Sequence, residues 1–269
     1  YTAHAPVPGK TPANGFVPDK EGTEGTRNGK YWMPAECDVP LRPGWFYHLY
    51  PADKDHPEWI NRDPDDVAKT PEYLLKLYYN SVGRGACLDL GLAPNKTGQL
   101  SKYDVAALAG FGKLVKNTFA RNLAKGAVLT ASNIRGGNNN KFGPACLLDS
   151  DRYSYWATDD GVSQPELLIT LCQPETFDVI RLRENIRLGQ RIEAFAVDAM
   201  LHGAWQQIAL GTSIGANRLI RLPQAVTSDK LRLRIIRSPV CIALSDFGLY
   251  KEYQEQGLTG KLRNKIPGK

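Results

Sequence analysis

The sequence predicts an α/β part over residues 1–125 and an all-β part over residues 126–253, followed by a polar tail at 254–269. In the first part, apolar residues at helical spacing alternate with short apolar runs, a pattern typical of a parallel sheet covered by helices. In the second part, short β-rich segments lie between turn residues, as in a sandwich or barrel. The length of 269 residues suits two domains, because single domains cluster near ~100–150 residues.

The composition excludes several classes of protein. Hydrophobic residues make up 42% and charged residues 23% of the chain, so a packed core is expected. The net charge of +6 (34 basic minus 28 acidic residues) is spread along the chain, and without a basic stripe nucleic-acid binding is not expected. No apolar run approaches the ~20 residues of a membrane span. Because the chain begins with Tyr1 and no leader precedes it, we expect it to start within a longer protein.

The five cysteines are odd in number, widely spaced and without a C-x-x-C pair. This spacing argues against a zinc site. We expect most of the cysteines to be reduced and buried as small apolar residues.

Two helices and two strands are predicted in the α/β part, which also contains a long Pro- and Gly-rich loop at 1–30 and a second loop at 49–70. Thr70-Pro71 is a helix start, and Gly83 closes that helix. A strand follows at Ala86–Leu92. The second helix begins at Ser101-Asp104, where the spacing of three predicts a capping box. These elements are too few to close a barrel. We therefore expect this part to be the end of a larger α/β domain.

Seven strand-like segments are predicted in the all-β part, each bounded by turn residues such as Gln173-Pro174 and Leu201-His202-Gly203-Ala204. They are Glu166–Leu171, Thr176–Arg183, Ile192–Leu201, Trp205–Leu210, Asn217–Leu222, Lys230–Ile236 and Cys241–Tyr250.

Two stretches of the α/β part carry a family resemblance. WMPAECDVPLRPGWFYH at 32–48 and YLLKLYYNSVGRGACLDLGLAPNKTGQLSKYDVAAL at 73–108 resemble the distal barrel strands of the family-twenty-nine α-L-fucosidases, specifically the branch that prefers α-1,3/1,4-linked fucose. The resemblance implies that residues 1–125 are the C-terminal part of a catalytic (β/α)-barrel. Two positions depart from the family pattern: Gly91 stands where many relatives carry Asn, and Asp89 replaces an apolar residue.

The all-β part resembles a discoidin-type β-sandwich, a module that often follows such catalytic domains. The resemblance lies in Val128–Asn133, LLDSDRYSYWAT at 147–158, ENIRLGQRI at 184–192 and FGLY at 247–250. Trp156 and Trp205 are expected in the core rather than stacked on a sugar. Related modules often hold a structural calcium, and Asp149, Asp151 and Asp246 are the candidate ligands here, although calcium takes six to eight oxygens. No organic cofactor is implied.

Glu36 is the candidate catalytic residue. A retaining glycosidase needs a nucleophile and a proton donor, two carboxylates ~5–5.5 Å apart. The family resemblance puts the nucleophile in a Trp-Phe-Asp-Gly-type motif that does not occur here, so we expect it upstream of Tyr1. Glu36 and Asp38 lie two apart at an expected strand C-terminus, the catalytic end of a barrel. Alternatives for Glu36 remain open: a substrate-contacting carboxylate, or an ion pair with Arg42 that organises the strand end.

The candidate substrate-binding residues are Trp32, Asp38, Arg42 and Trp45. Aromatic faces stack on the C–H patches of sugars, and hydroxyl groups need charged partners. His48 is interpreted as structural.

The predicted function is that of a retaining exo-α-L-fucosidase that releases terminal α-1,3- or α-1,4-linked fucose from oligosaccharides, outside the cytoplasm (periplasmic or secreted). The alternative is a carbohydrate-binding module that carries an inert barrel remnant.

Overall fold

The computed structural model describes residues 35–42, 47, 68–95, 97–149 and 151–254. The predictions for the loop at 1–30, for Trp32, Trp45 and His48, and for nearly all of the polar tail lie outside these residues.

The first part contains a β-α-β unit. Strand β1 (Glu36–Pro40) and strand β2 (Cys87–Gly91) pair in parallel, with Glu36 opposite Cys87 and Pro40 opposite Gly91. Helix α1 (Pro71–Asn80) lies between them in the chain, and a 3-10 turn (Val82–Arg84) follows it. The α/β alternation of the sequence therefore appears as a parallel pair with a helical crossover.

Both helices begin where the sequence predicts. The Thr70 hydroxyl accepts the backbone N–H of Tyr73 at 3.2 Å, which caps α1. In helix α2 (Lys102–Thr118), the Ser101 hydroxyl accepts the N–H of Tyr103 at 3.1 Å. Half of the predicted capping box is absent, because the Asp104 carboxylate binds Arg42 instead. Helix α1 ends before Gly83, since the chain tightens into the 3-10 turn that Gly85 closes with φ 81°.

Helices α1 and α2 meet where Gly110 faces Pro71. A Cβ at Gly110 would lie 2.7 Å from Pro71 Cγ, whereas a Cβ at Gly112 would meet nothing within 4 Å. Gly112→Ala should therefore raise the free energy of unfolding by about 0.5–1 kcal/mol, the usual preference of a helix for alanine over glycine. Gly110→Ala should lower it by about 1–3 kcal/mol, because the helices must separate. Urea denaturation of both variants tests this; equal gains at the two positions would contradict the close contact.

The second part is β-rich, as predicted. Its strands are β3 (Val128–Ala131), β4 (Trp156–Ala157), β5 (Glu166–Glu184), β6 (Ala194–Leu201), β7 (Ala204–Gly211), β8 (Arg218–Arg237) and β9 (Ala243–Tyr250), with a short helix α3 (Asn139–Phe142). Among the described residues these strands pair antiparallel, in the order β4-β9-β5-β8-β6-β7, and β3 pairs with β5. The domain boundary at residue 125 and the barrel and sandwich assignments stay predictions.

Strands β5 and β8 are each a single long strand where the sequence predicted two. The β5–β8 register shifts between Thr170 and Glu175, so Gln173-Pro174 lies in an irregularity where proline's missing N–H interrupts no ladder. The first half of β5 pairs with β3 and its second half with β9. The predicted hairpin turn is confirmed, with His202 at φ 53° and Gly203 at φ 80° between β6 and β7.

The two tryptophan predictions have different outcomes. Trp156 is fully buried, and its Nε1 donates to the Asn133 carbonyl at 2.9 Å, which confirms its place in the core. Trp205 is only half-buried, because it lies on β7 at the end of the strand order, where Arg232 stacks on its ring at 5.0 Å. The core prediction for Trp205 is therefore wrong.

An apolar cluster joins the helices to the β-rich part. It consists of Leu75, Tyr79, Leu114, Val179, Leu219 and Tyr250. The Asn-Ser-Val-Gly-Arg motif after α1 lies at this joint: Asn217 Nδ2 donates to the Val82 carbonyl at 2.7 Å. A Cβ at Gly83 would lie 3.1 Å from Leu219 Cβ, so the motif's small residues allow close contact with β8.

The expectation that most cysteines are buried is wrong. All five lie within the described residues and none is part of a disulfide, but only Cys241 is buried, and Cys87 and Cys172 are exposed on strand surfaces. Within the described ranges, no helix is long and apolar enough to cross a membrane.

Candidate functional site

One face of β1 and β2 carries the predicted acidic residues. Glu36 and Asp38 are exposed and alternate with the less exposed Cys37 and Val39, so the two carboxylates share a face as predicted. Asp89 on β2 lies opposite Asp38 and is exposed as well. These carboxylates (Glu36, Asp38 and Asp89) form the acidic face. They can accept hydrogen bonds from hydroxyl groups, and a protonated one could donate.

The predicted position of Glu36 in its strand is wrong. Glu36 is the first residue of β1, not a residue at its C-terminal end. The parallel ladder fixes this start, because the N–H of Cys87 donates to the carbonyl of Ala35 at 2.9 Å and the pairing continues from there to Pro40. The acidic face therefore lies along β1 from its beginning.

Arg42 does not join the acidic face. Its side chain is 4% exposed and its guanidinium binds the fully buried Asp104, with Nε 2.9 Å from both carboxylate oxygens. The alternative of a Glu36–Arg42 ion pair is therefore wrong for the described residues. The Arg42 guanidinium is held by a structural ion pair, and its contact with substrate stays a prediction.

Tyr47 is the one described residue of the aromatic stretch after Arg42. Its ring centroid lies 5.1 Å from Arg42 Cζ, a cation–π distance. Arg42 therefore contacts an aromatic ring as well as the Asp104 carboxylate on α2. Trp32 and Trp45, the predicted stacking residues, lie outside the described residues.

The three predicted calcium ligands all have partners within the protein. Asp246 binds Arg181 through both oxygens, with Oδ1 3.1 Å from Nη2. Asp149 accepts from Ser154 Oγ at 2.7 Å and from the N–H of Asp151 at 2.8 Å. In the part of the chain that the structure describes, no three His, Cys, Asp or Glu side chains group as metal ligands. Calcium also takes backbone carbonyl oxygens as ligands, and a structural calcium at this place stays a prediction.

Glu184 is an unusual carboxylate that sequence reasoning missed. It is 3% exposed and accepts three backbone N–H groups: those of Arg191 at 2.7 Å, Ile192 at 2.9 Å and Gly215 at 2.8 Å. Burial raises its pKa to about 7, although the three backbone hydrogen bonds act to lower that pKa. Glu184 thereby ties together the two loops after β5 and before β8. Its buried register position depends on strand pairing, which the local sequence does not reveal.

Comparisons with known proteins point to one family. A rice protein (Oryza sativa subsp. japonica) with a provisional alpha-L-fucosidase 1 name is 36% identical over 94% of this chain and 46% of its own length. Alpha-L-fucosidase 1 of Arabidopsis thaliana is 33% identical over 85% of this chain and 43% of its own length. No family model matches the sequence.

Solved structures agree with these relatives. The GH29 fucosidase of Ruminococcus gnavus, solved in complex with fucose, superposes with a TM-score of 0.74 at 32% identity. The superposition covers 86% of this chain and 43% of that chain. This chain therefore spans about half the length of the curated relatives and of the solved neighbour.

Proposed function

We propose that this chain is part of an α-L-fucosidase of glycoside hydrolase family twenty-nine. The observation that carries the proposal is the similarity over most of the chain, at 33–36% identity, to two relatives that bear fucosidase names. The neighbour with bound fucose supports a fucosylated sugar as the ligand. The reaction is hydrolysis of a glycosidic bond, with water as the co-substrate.

The finer specificity rests on the sequence resemblance. We propose an exo-acting, retaining enzyme that prefers terminal α-1,3- or α-1,4-linked fucose and works outside the cytoplasm. In this proposal, β1, β2 and their helices are the last elements of a (β/α)-barrel. The antiparallel strands form a discoidin-like sandwich, which the change of neighbours along β5 supports.

The nucleophile is assigned to a segment outside these 269 residues. A retaining mechanism requires a second carboxylate ~5–5.5 Å from the proton donor, and the expected Trp-Phe-Asp-Gly-type motif does not occur in this sequence. Hydrolysis of p-nitrophenyl α-L-fucoside tests this assignment. The complete enzyme should turn the substrate over, and the 269-residue segment should not. Turnover by the segment alone would contradict it, and glycan binding without turnover by the complete protein would favour the binding-module alternative.

Glu36 and Asp38 are proposed as contacts to the sugar. Exposed carboxylates on one strand face can accept hydrogen bonds from two neighbouring hydroxyl groups of a sugar ring. Trp32 and Trp45, close in sequence, would supply stacking surfaces. Of the roles left open for Glu36, substrate contact is preferred here, because its exposure at the start of β1 suits a group that meets solvent and ligand.

Glu36→Gln in the complete enzyme tests the role of Glu36. A charged hydrogen bond to substrate contributes about 1.5–3 kcal/mol, so we expect KM to rise by about tenfold or more while kcat changes little. Glu72→Gln, at an exposed carboxylate on α1, is the matched control and should leave both constants unchanged. A fall in kcat of several orders of magnitude that azide rescues would instead make Glu36 the proton donor.

A further inference from the structure

A cavity of about 690 Å³ lies where the end of α2 meets the β-rich part. Its walls are formed by residues of the segment 119–125, by residues 148, 149, 151 and 152, and by the strands β5 and β9. This volume falls within the ~300–1,000 Å³ typical of small-molecule sites. The cavity is on the β-rich part and shares no residue with the acidic face of β1 and β2.

The cavity is unusually rich in cationic side chains. Five of them line it: Arg121, Lys125, Arg152, Arg181 and Arg183. Two have carboxylate partners, since Arg181 binds Asp246 and Arg121 binds Glu175 at 3.2 Å. Within the described ranges, Arg152 and Arg183 form no ion pair with a carboxylate. Two guanidinium groups therefore line the cavity with no carboxylate of the described residues at ion-pair distance.

Arg183 is the more constrained of the two. It lies half-buried on β5, and its Nε donates to the neutral Oδ1 of Asn217 at 3.0 Å. Burial and the like charges of Arg181 and Arg152 lower its pKa, and the negative charge of Asp246 offsets only part of this effect. A guanidinium in such surroundings is stabilised by an anion, because the anion offsets both the lost hydration and the like-charge repulsion.

Residues close to Arg152 in the chain supply acceptors for hydroxyl groups. Asp149 and Asp151 line the cavity, and their carboxylates otherwise bind the turn around Ser154 and Tyr153. Each carboxylate has more acceptor positions than these bonds use. Their negative charge also disfavours a polyanion, so the cavity suits a ligand with one anionic group and several hydroxyls.

We propose that this cavity binds a small polyhydroxylated ligand through a single oxyanion, a sulfate or a carboxylate, that lies between Arg152 and Arg183. Arg guanidinium groups bind such oxyanions through paired N–H donors. The ring of Tyr250, on which Arg181 stacks at 4.9 Å, forms part of the cavity wall and holds Arg181 in place. The proposal is independent of fucoside hydrolysis.

The test measures binding of sodium sulfate and sodium glucuronate to the purified protein by calorimetry and thermal shift, at ionic strength matched with sodium chloride. We expect at least one of the two to bind and to raise Tm relative to chloride, and glucose to have no effect. Sulfate alone or glucuronate alone would identify which oxyanion the cavity takes. No difference from chloride for either probe would overturn the proposal.

Two variants and a control connect binding to the cavity. Arg183→Gln and Arg152→Gln should each raise the Kd of the bound probe at least tenfold. Arg237→Gln removes the same charge from a 67% exposed side chain on β8 that does not line the cavity, and it should leave the Kd unchanged. Equal losses in all three variants would mean general charge attraction and would overturn the proposal. Arg152 is exposed, so Arg152→Gln carries the test if circular dichroism shows that Arg183→Gln does not fold.

Discussion

Asp104→Asn is expected to lower the free energy of unfolding by about 3–5 kcal/mol, the usual cost of leaving a buried charge without its partner. Asp104 is fully buried in the first turn of α2 and Arg42 is 4% exposed. Three contacts of 2.9 Å join the two side chains. The asparagine side chain keeps the size but not the charge, so the buried Arg42 guanidinium would lose its contacts with a buried carboxylate. The positive end of α2 adds to the effect, because it stabilises the carboxylate.

Denaturant unfolding of Asp104→Asn measures this loss. The matched control is Asp160→Asn, which removes the partner of Arg135 at 2.7 Å in a pair whose carboxylate is 81% exposed. Exposed ion pairs contribute little, so the control should unfold almost as the parent does. A double variant, Arg42→Met with Asp104→Leu, should recover much of the loss, because it removes both charges together. If Asp104→Asn were as stable as the control, the ion pair would not hold β1 against α2.

Glu184 is expected to make stability fall as pH rises. Its folded pKa of about 7 lies above the ordinary value of 4.5, so the native state holds its proton more tightly than the unfolded chain. The contribution is fully present below pH 4.5 and is lost as pH rises through 7. Over that window the free energy of unfolding should fall by about 3 kcal/mol from this group alone.

Urea unfolding of the parent and of Glu184→Gln between pH 4 and pH 8 isolates this contribution. The neutral amide does not titrate, so the difference in unfolding free energy between the two proteins should change across the window. At pH 4 the variant should already be about 1–2 kcal/mol less stable, because the amide nitrogen cannot accept the N–H of Gly215. Glu166→Gln, at an exposed carboxylate on the same strand, should keep the parent's pH dependence. A pH-independent difference for Glu184→Gln would show that Glu184 does not titrate in this range.

Both residues show how far local reasoning reaches. Arg42 is close in sequence to Glu36 and Asp38, which suggested a shared sugar site, yet its partner is 62 residues away in the chain. Glu184 lies in a stretch that resembles a known module, but the neighbouring sequence does not indicate that its carboxylate is buried. The partner of Arg42 lies on α2, and the groups that bind Glu184 lie in two loops. The topology of the chain brings these distant groups together.

Several elements could be predicted from the sequence alone. The helix starts at Thr70 and Ser101, the hairpin turn at His202-Gly203, and the burial of Trp156 follow from capping, turn chemistry and side-chain size, which act over a few residues. The β-rich character of the second part follows in the same way. The resemblance of the stretches at 32–48 and 73–108 also pointed to the family whose members the comparisons found.

Tertiary structure alone decided the rest. The continuity of β5 and β8 through predicted turns depends on partner strands that hold the backbone extended, and the half-exposure of Trp205 depends on its place at the end of the strand order. The cavity lined by Arg152 and Arg183 arises because residues 148, 149, 151 and 152 lie close to strand β5. Local sequence determines which structure each segment prefers, because capping and turn energies are short-ranged. Which charges become buried, paired or left facing a cavity is determined only when distant segments pack together.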